Sequence, residues 1–377
     1  MDYLRYYLNL IVPISAIAGF TLGGQWVWLG FSTIVLVIVA DLLSPQDYAP
    51  RNMNSPALAD SVIWVQSAFV LIAYGVFLWR MHDGFAQSGG ALALAWLGAG
   101  LSLLWVSLIP NVGSAHELMH RKGPLAKWSG RIMFAIAGAP NRDLSHVTSH
   151  HLYFDTDRDH DTGRRGETVY EFVPRCFWGN TVEEYQLEKA RVEATGHSVW
   201  GWHSQIFWSL VMVAAIVGLC GIVGGPVAAL ISALVMVVAR LLGEALNFLQ
   251  HYGLVREPGT PIESRHTWNH LSAVTRIIGL EITNHVNHHQ DPDVPFYRLQ
   301  PHPEGPQMRN ILLWGIAAFI PPLWTRLIQK KLKEWDENHA TPRERALAAE
   351  ANARANWPNW FSDMDVDHGA IAAHSAA

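Results

Sequence analysis

Residues 206–246 read IFWSLVMVAAIVGLCGIVGGPVAALISALVMVVARLLGEAL, which is two apolar blocks separated by a glycine pair and a proline. Each block approaches the roughly 20 apolar residues that a helix needs to cross the hydrocarbon core of a bilayer. Gly224 and Gly225 leave room only for a tight loop between the blocks. The stretch therefore predicts two membrane helices that form a hairpin.

Four more blocks of this kind come earlier, at residues 4–22, 26–43, 62–79 and 91–112. Half of the 377 residues are hydrophobic and only 16% are charged. Six blocks with almost no internal charge favour membrane helices over the buried core helices of soluble domains. The first block lacks a convincing cleavage site and runs straight into the second, which favours a membrane helix over a signal peptide. We expect an all-α integral membrane protein with six transmembrane helices in three hairpins.

The basic residues predict which segments face the cytoplasm. Residues 113–202 contain eleven Lys and Arg and residues 247–377 contain twelve, whereas the short loops between paired blocks contain none. We therefore divide the chain into transmembrane helices 1–4 (1–112), a cytoplasmic histidine-rich region (113–202), transmembrane helices 5 and 6 (203–246), and a second cytoplasmic region (247–377). The last of these holds further histidines and the C-terminal helices. Residues 310–328, which include two prolines, are expected to be interfacial or re-entrant.

Two local features complete the outline of the chain. Cys176 and Cys220 lie in different regions, so neither a disulfide framework nor a thiolate metal site is supported. Thr341, Pro342 and Glu344 fit a helix start with a capping box and proline at the first helical position. Residues from about 363 onward are expected to be disordered.

Nine of the nineteen histidines fall into four tight groups. Residues three or four apart on a helix share a face, so the histidines of each group project together. The first and third groups follow directly on the fourth and sixth apolar blocks, so they emerge on the same side of the membrane as the other two. The four groups are His116 and His120 in HELMHR; His146, His150 and His151 in SHVTSHH; His251 in FLQHYGL; and His285, His288 and His289 in NHVNHH.

A single histidine is most often a hydrogen-bonded structural residue, but nine in this arrangement predict a metal site. Nine imidazoles exceed what one ion accepts, and two ions bound by four and five nitrogens fit the count. Imidazole suits Zn, Cu, Fe and Ni alike, so the residue types do not name the metal. Three other histidines, His160, His266 and His270, lie near these groups and are weaker candidates for orienting the ligands.

Two alternatives explain less of the pattern. HELMH matches the HExxH motif of zinc proteases, in which the glutamate is the general base, but such a site needs only about three protein ligands. A metal transporter places its polar ligands near the middle of the membrane, and the six predicted spans contain no histidine.

The spacing HxxxH, HxxxHH and HxxHH resembles the integral-membrane di-iron hydroxylases and desaturases. FLQHYGL resembles the additional HYG element of the membrane alkane hydroxylases. The subgroup that includes the hydroxylase components of xylene and p-cymene monooxygenases is more similar still, through AHELMHR, PNRDLSHVTSHHLYFDTDRD, EITNHVNHH and WDENHATPRERALA. This resemblance covers essentially the whole chain.

The resemblance implies two non-haem Fe ions held by the nine histidines, O₂ as co-substrate, and hydroxylation of a methyl group on an alkyl-substituted arene such as toluene, xylene or p-cymene. Terminal hydroxylation of medium-chain alkanes is the alternative. Glu117 and Asp159 are expected to orient ligand histidines or a neighbouring arginine. The implied location is a bacterial-type inner membrane, with the active site on the cytoplasmic side.

The chain contains no nucleotide, flavin or iron–sulfur motif, so electrons are expected from a partner. A ferredoxin-type NADH reductase or a rubredoxin would dock on basic residues such as Arg121, Lys122, Arg164 and Arg165. The other expected partners are membrane lipid and a hydrophobic small molecule. Nucleic acid is not expected as a partner. Ser145, Ser149 and Gln250 stand where alkane hydroxylases usually have Glu, Gly and Glu, which favours methylarenes over linear alkanes.

Overall fold

A computed structural model describes residues 2–358, 360 and 361. This part of the chain is helical, without a named β-strand. The expected disorder from about residue 363 lies outside the described residues. The α-helices are α1 (Tyr3–Tyr6), α2 (Ile11–Leu22), α3 (Leu29–Leu43), α4 (Pro56–Asp83), α5 (Gly89–Leu108), α6 (Asn111–His120), α7 (Pro124–Ile136), α8 (Arg142–Ser145), α9 (His151–Tyr153), α10 (Val169–Glu193), α11 (Gln205–Gly224), α12 (Pro226–His251), α13 (Ala273–Ile278), α14 (His285–Gln290), α15 (Ile311–Ala318), α16 (Pro321–Asn338) and α17 (Pro342–Arg354).

Five helical stretches in the described residues are long and apolar enough to cross a bilayer. Their most apolar windows have a mean hydropathy between 1.9 and 2.6, and between 11% and 50% of each window is buried within the protein. The remaining surface of these helices is apolar and exposed, as expected of helices that contact lipid. The five stretches are Gly24–Leu43, Pro56–Asp83, Gly89–His120, Gln205–Gly224 and Pro226–His251.

The first predicted span is not among these five stretches. Residues 3–22 are divided into α1, a 3₁₀ turn (Tyr7–Leu10) and α2. Tyr6 and Asn9 are buried, and the Asn9 amide donates to the carbonyl of Ile277, 2.9 Å away. The first half of this segment therefore packs against the C-terminal end of α13.

The fourth predicted span continues further than its sequence boundary at residue 112. Helix α5 ends at Leu108, Ile109 and Pro110 interrupt the helix, and α6 then runs on to His120. Proline lacks the amide hydrogen that a continuous helix requires, which explains the break. The first histidine pair thus lies at the end of one long apolar stretch.

Two buried cores meet at α12. One lies among the apolar helices and includes Phe77, Leu103 and Val235. The other joins α10, α12 and α16 through aromatic residues such as Phe248 and Trp324. Because α12 contributes to both, its last turn is held between the membrane-type helices and the polar helical region.

The segment at 310–328 forms α15 and the start of α16, with both prolines in the first turn of α16. Trp324 and Ile328 are buried, whereas Ile316 and Leu323 are exposed. The capping box at α17 is confirmed, because the Thr341 hydroxyl accepts from the Glu344 amide and Pro342 occupies the first helical position.

Candidate metal centre

All nine histidines singled out by their spacing converge in one buried region. His116 and His120 come from α6, His251 is the last residue of α12, and α14 supplies three more. Eight of the nine are buried, and His120 is partly buried. Each of these side chains lies on a short helix or at the end of a long one. The remaining three are His146 and His150, from the segment between α8 and α9, and His151, the first residue of α9.

Eight of these histidines form two groups in which one ring nitrogen from each residue lies within 4.8 Å of the others. The His116 group comprises His116, His120, His146 and His288. The His150 group comprises His150, His251, His285 and His289. His288 and His289 are adjacent on α14 but belong to different groups, so this short helix lies between the two groups.

His151 lies between the groups. Its Nε2 is 3.2 Å from Nε2 of His146 in the His116 group. Its ring centroid is 4.6 Å from that of His289 in the His150 group. His151 thus contacts both groups of four.

The distances between ring nitrogens favour a cation over hydrogen bonds. Nε2 of His146 lies 3.1 Å from Nε2 of His116 as well as 3.2 Å from that of His151. Nε2 of His285 lies 2.8 Å and 3.0 Å from the Nε2 atoms of His251 and His289. A ring nitrogen carries either one hydrogen or one lone pair, so it cannot satisfy two such neighbours. Two nitrogens at right angles, each about 2.0–2.1 Å from one ion, are about 3 Å apart.

Buried ring nitrogens without partners point the same way. Nε2 of His120 and Nε2 of His288 are buried and make no hydrogen bond in the described structure. A buried polar atom without a partner is costly unless an ion or water satisfies it. The nitrogen donor set and these open positions fit a transition metal such as iron.

The segment from His146 to His150 is a π-helix, a wider turn than the sequence suggests. The amide of His151 donates to the carbonyl of His146, five residues earlier. The wider turn brings His146 and His151 close together, although five residues on an α-helix would diverge. Such π turns occur frequently at functional sites.

Two serines fix this segment to α10. Ser145 donates to a carboxylate oxygen of Glu184 at 3.0 Å, and Ser149 donates to Glu183 at 2.6 Å. These are the positions where the sequence departs from the alkane hydroxylase pattern. The two serines therefore have a structural partner in this chain, namely the acidic face of α10.

Three histidines of the His150 group have an acceptor behind the ring. Nδ1 of His150 lies 3.1 Å from Asp159 and 3.5 Å from Asp161. Nδ1 of His251 lies 3.4 Å from Asp155, and Nδ1 of His285 donates to the carbonyl of Ile282 at 3.0 Å. An acceptor at Nδ1 fixes the proton there and leaves Nε2 free to bind metal. Asp159 thus stands where a ligand-orienting residue was expected.

The electrostatic environment separates His150 from the other histidines outside the spans. Burial, followed by repulsion from neighbouring imidazoles, lowers the pKa of His146, His285, His288 and His289 well below the usual value. Burial also lowers the pKa of His150, but Asp159 and then Asp161 outweigh it and raise that pKa. Neutral imidazoles are the form that binds metal.

Glu117 makes no hydrogen bond or ion pair with any of the nine histidines. Its carboxylate pairs with Arg121 at 2.8 Å and accepts from the amide of Phe296 at 3.3 Å. Of the two roles predicted for Glu117, the geometry matches the contact with a neighbouring arginine. A zinc-protease glutamate would instead have to face the metal.

Sequence reasoning missed a buried network of charged residues beside the site. Arg142 pairs with Asp161 at 2.5 Å, and its Nη2 lies 3.4 Å from Nδ1 of His146. Cys176 donates to Asp161 and to Glu244, both at 3.1 Å. One signal was available, because Arg240 and Glu244 form an ion pair four residues apart inside an otherwise apolar span.

The weaker candidates are placed elsewhere. His160 packs against Gly179 of α10, His266 contacts Glu344 at 2.8 Å, and His270 donates to the carbonyl of Met308 at 2.6 Å. None of these three contacts involves the nine histidines.

Among the basic residues expected to dock a partner, one is misplaced. Arg165 is buried and forms a bidentate pair with Asp336 at 2.7 Å, so its inclusion was wrong. Lys122 is largely exposed and pairs with Asp293, Arg164 is exposed, and Arg121 is partly exposed.

Long apolar helices that end in a buried cluster of histidines define a membrane-bound metalloenzyme. Residues 91–304 match the model of the family described as Fatty acid desaturase, and the chain therefore belongs to that family.

The curated relatives are monooxygenases. The xylene/toluene monooxygenase hydroxylase component XylM of Pseudomonas putida is 39% identical over 361 residues, which cover 96% of this chain and 97% of the relative. Alkane 1-monooxygenase 1 of Pseudomonas aeruginosa is 28% identical, over 74% of this chain and 71% of the relative. Alkane 1-monooxygenase 2 of Alcanivorax borkumensis is 25% identical, over 89% and 91%. The expected kinship with the membrane di-iron hydroxylases is confirmed, and the chain is an oxidoreductase of the monooxygenase type.

Proposed function

We propose that this protein hydroxylates the methyl group of an alkyl-substituted arene. The balanced reaction is R–CH₃ + O₂ + 2 e⁻ + 2 H⁺ → R–CH₂OH + H₂O, in which one oxygen atom enters the C–H bond and the other leaves as water. The observation that carries the proposal is the pair of four-histidine groups, in a chain that aligns with 97% of a xylene/toluene monooxygenase component. Toluene, xylenes and p-cymene are the substrates we propose.

The metal content that we propose is two non-haem irons, one in each histidine group, with all nine histidines as ligands. Bound iron would supply the activation of O₂, which no side chain can perform. Ring nitrogens at about 3 Å spacing and the buried open positions of His120 and His288 support this assignment.

The protein residues prepare this site in three ways. Asp159, Asp155 and the carbonyl of Ile282 fix the ring protons of the His150 group on the side away from the metal. Burial keeps bulk water out, which protects a strongly oxidising centre from side reactions. A bilayer-soluble substrate would reach the site laterally, between the apolar helices.

The two electrons come from a separate protein in our proposal. The Pseudomonas putida relative is named as one component of its monooxygenase. A ferredoxin-type NADH reductase or a rubredoxin fits this role. Of the basic residues named for docking, Lys122 and Arg164 offer exposed side chains.

Competition between substrates tests the reaction. Cells that express the chain with a reductase receive equal amounts of toluene or p-cymene and of octane, and the benzylic alcohol and 1-octanol are quantified. We expect the benzylic alcohol to dominate. The alkane 1-monooxygenase relatives make terminal alkane hydroxylation the second candidate, and a clear excess of 1-octanol would select it.

We also propose that both histidine-rich regions face the cytoplasm of a bacterial-type inner membrane, with six spans in three hairpins. The excess of basic residues in 113–202 and 247–377 supports this orientation. Reporter fusions within residues 81–90 should be periplasmic, and fusions within 113–202 should be cytoplasmic. A cytoplasmic N-terminus distinguishes six spans from five, because the helical segment at residues 3–22 must then cross the membrane.

A further inference from the structure

A small cavity lies beside the metal site, between α6, α7 and α12. Its volume is about 60 Å³, and the rings of His116, His146 and His285 contribute to its wall. These three residues come from both histidine groups, so a molecule in the cavity faces the whole centre. Apolar side chains such as Phe134 and Leu246 form another part of the wall.

Gly243 lies inside α12 and lines this cavity. Glycine is unfavourable in the interior of a helix, so its presence here needs a reason. Glycine inside a helix commonly permits a close approach of another group. At Gly98 in α5, for example, an added Cβ would lie 2.5 Å from the Trp28 ring. At Gly243 an added Cβ meets nothing within 4 Å, and the backbone does not require a positive φ. Packing therefore does not explain this glycine, whereas an open space beside the histidines does.

The size of the cavity indicates what the space is for. A cavity of about 150 Å³ in another protein holds benzene, so about 60 Å³ accommodates the reacting methyl group but not the ring. Gly243 is one helical turn from Ala239, which also lines the cavity. The ring of a substrate needs the additional room that these two small residues leave on one face of α12.

Buried ion-paired side chains form a further part of the cavity wall. Arg240 and Glu244 form an ion pair at 2.9 Å, and Arg142 pairs with Asp161. All four side chains are buried. An alkyl chain that extended towards these residues would have to separate buried pairs, which is strongly unfavourable. A compact ring can instead remain among the apolar residues.

We propose that Gly243 determines which substrates fit, because its missing side chain leaves room for the aromatic ring at the edge of this cavity, while the methyl group enters the cavity towards His116, His146 and His285. The occupant is a methylarene whose ring lies over Gly243 while its methyl group points towards the histidines. This inference rests on the proposed function, because it takes the methylarene from there.

The test compares substitutions at Gly243 with the same substitutions at Gly218. Gly218 lies inside α11, is exposed, and also has open space around its Cβ, but it does not line the cavity. Membranes that contain Gly243→Ala, Gly243→Leu or Gly218→Leu, with iron content measured for each, receive toluene and the wider p-cymene. Gly243→Leu should lower kcat/KM for p-cymene relative to toluene by about 10-fold or more. Gly243→Ala should change the ratio in the same direction by less, and Gly218→Leu should leave it unchanged.

A binding measurement gives a second readout that does not depend on turnover. Toluene should raise the Tm of purified wild-type protein and of Gly218→Leu in a saturable manner, because a ligand of the folded state stabilises it. In Gly243→Leu this increase should be smaller, because the leucine side chain takes part of the space that the ring needs.

The two ways of failing are distinct. If iron-loaded wild type oxidises neither arene, the proposed function is wrong. If wild type oxidises both and Gly243→Leu matches Gly218→Leu in substrate ratio and in Tm increase, the assignment of Gly243 is wrong.

Discussion

The two histidine groups differ in the residues that contact the outer ring nitrogens. In the His150 group, Asp159, Asp155 and a backbone carbonyl contact the Nδ1 atoms of three histidines. In the His116 group, no carboxylate of residues 2–358 lies within 4 Å of a ring nitrogen, and an arginine, Arg142, approaches His146. Carboxylate partners increase the basicity of a histidine ligand, and arginine cannot. We therefore expect the His150 group to bind iron more tightly.

The largest expected effect is the loss of a ligand, and α14 offers a matched pair. His288→Ala removes a nitrogen from the His116 group, and His289→Ala removes one from the His150 group. Each should lower turnover by more than about 100-fold, because losing a ligand affects the metal more than losing a ligand's partner. Iron per purified chain should fall from two towards one in both variants. One zinc and no iron in the wild type would contradict the proposed metal centre.

The next effect distinguishes the groups directly. Asp159→Asn keeps the shape of the side chain but removes the charge behind His150, and we expect the iron affinity of the His150 group to fall about 10- to 100-fold. Chelator titration followed by iron analysis measures this change. In wild type the His116 group should release its iron at a lower chelator concentration than the His150 group. In Asp159→Asn the two groups should release iron at similar chelator concentrations.

Asp143→Asn is the matched control for that substitution. Asp143 pairs with Arg131 and accepts from Gln205, without contact to a ligand histidine. Its chelator titration should follow wild type. Equal shifts for Asp143→Asn and Asp159→Asn would mean that any charge near this segment suffices, and the comparison between the groups would lose its basis.

The smallest effect is expected at Glu117. Glu117→Gln removes the ion pair with the partly exposed Arg121, and exposed or partly exposed pairs contribute about 1 kcal/mol or less to the free energy of unfolding. Iron content should stay at the wild-type value, and turnover should change by only a few-fold. A loss of turnover as large as that of His288→Ala would instead indicate that Glu117 acts in catalysis, as the glutamate of an HExxH motif does.

The sequence by itself determined the class of fold and the nine histidines that meet. Apolar blocks of membrane length predict helices because no other single segment satisfies its own backbone in lipid. Histidines three or four residues apart predict a shared face because of the helical repeat. Both signals are local, so they are readable without knowledge of the tertiary structure. The capping box at Thr341 is a signal of the same kind and was also predicted correctly.

Only the tertiary structure decided how the histidines are divided and what supports them. At the π turn, Ser145 and Ser149 bond to glutamates of α10 that lie more than 30 residues further along the chain. The division of α14 between two groups depends on where α6 and α12 end in space. Asp161 and Arg142 are buried beside the site, and the polar sequence around them does not predict this burial. The first apolar block shows the same limit, because Asn9 reaches a carbonyl 268 residues away, and no local pattern encodes such a contact.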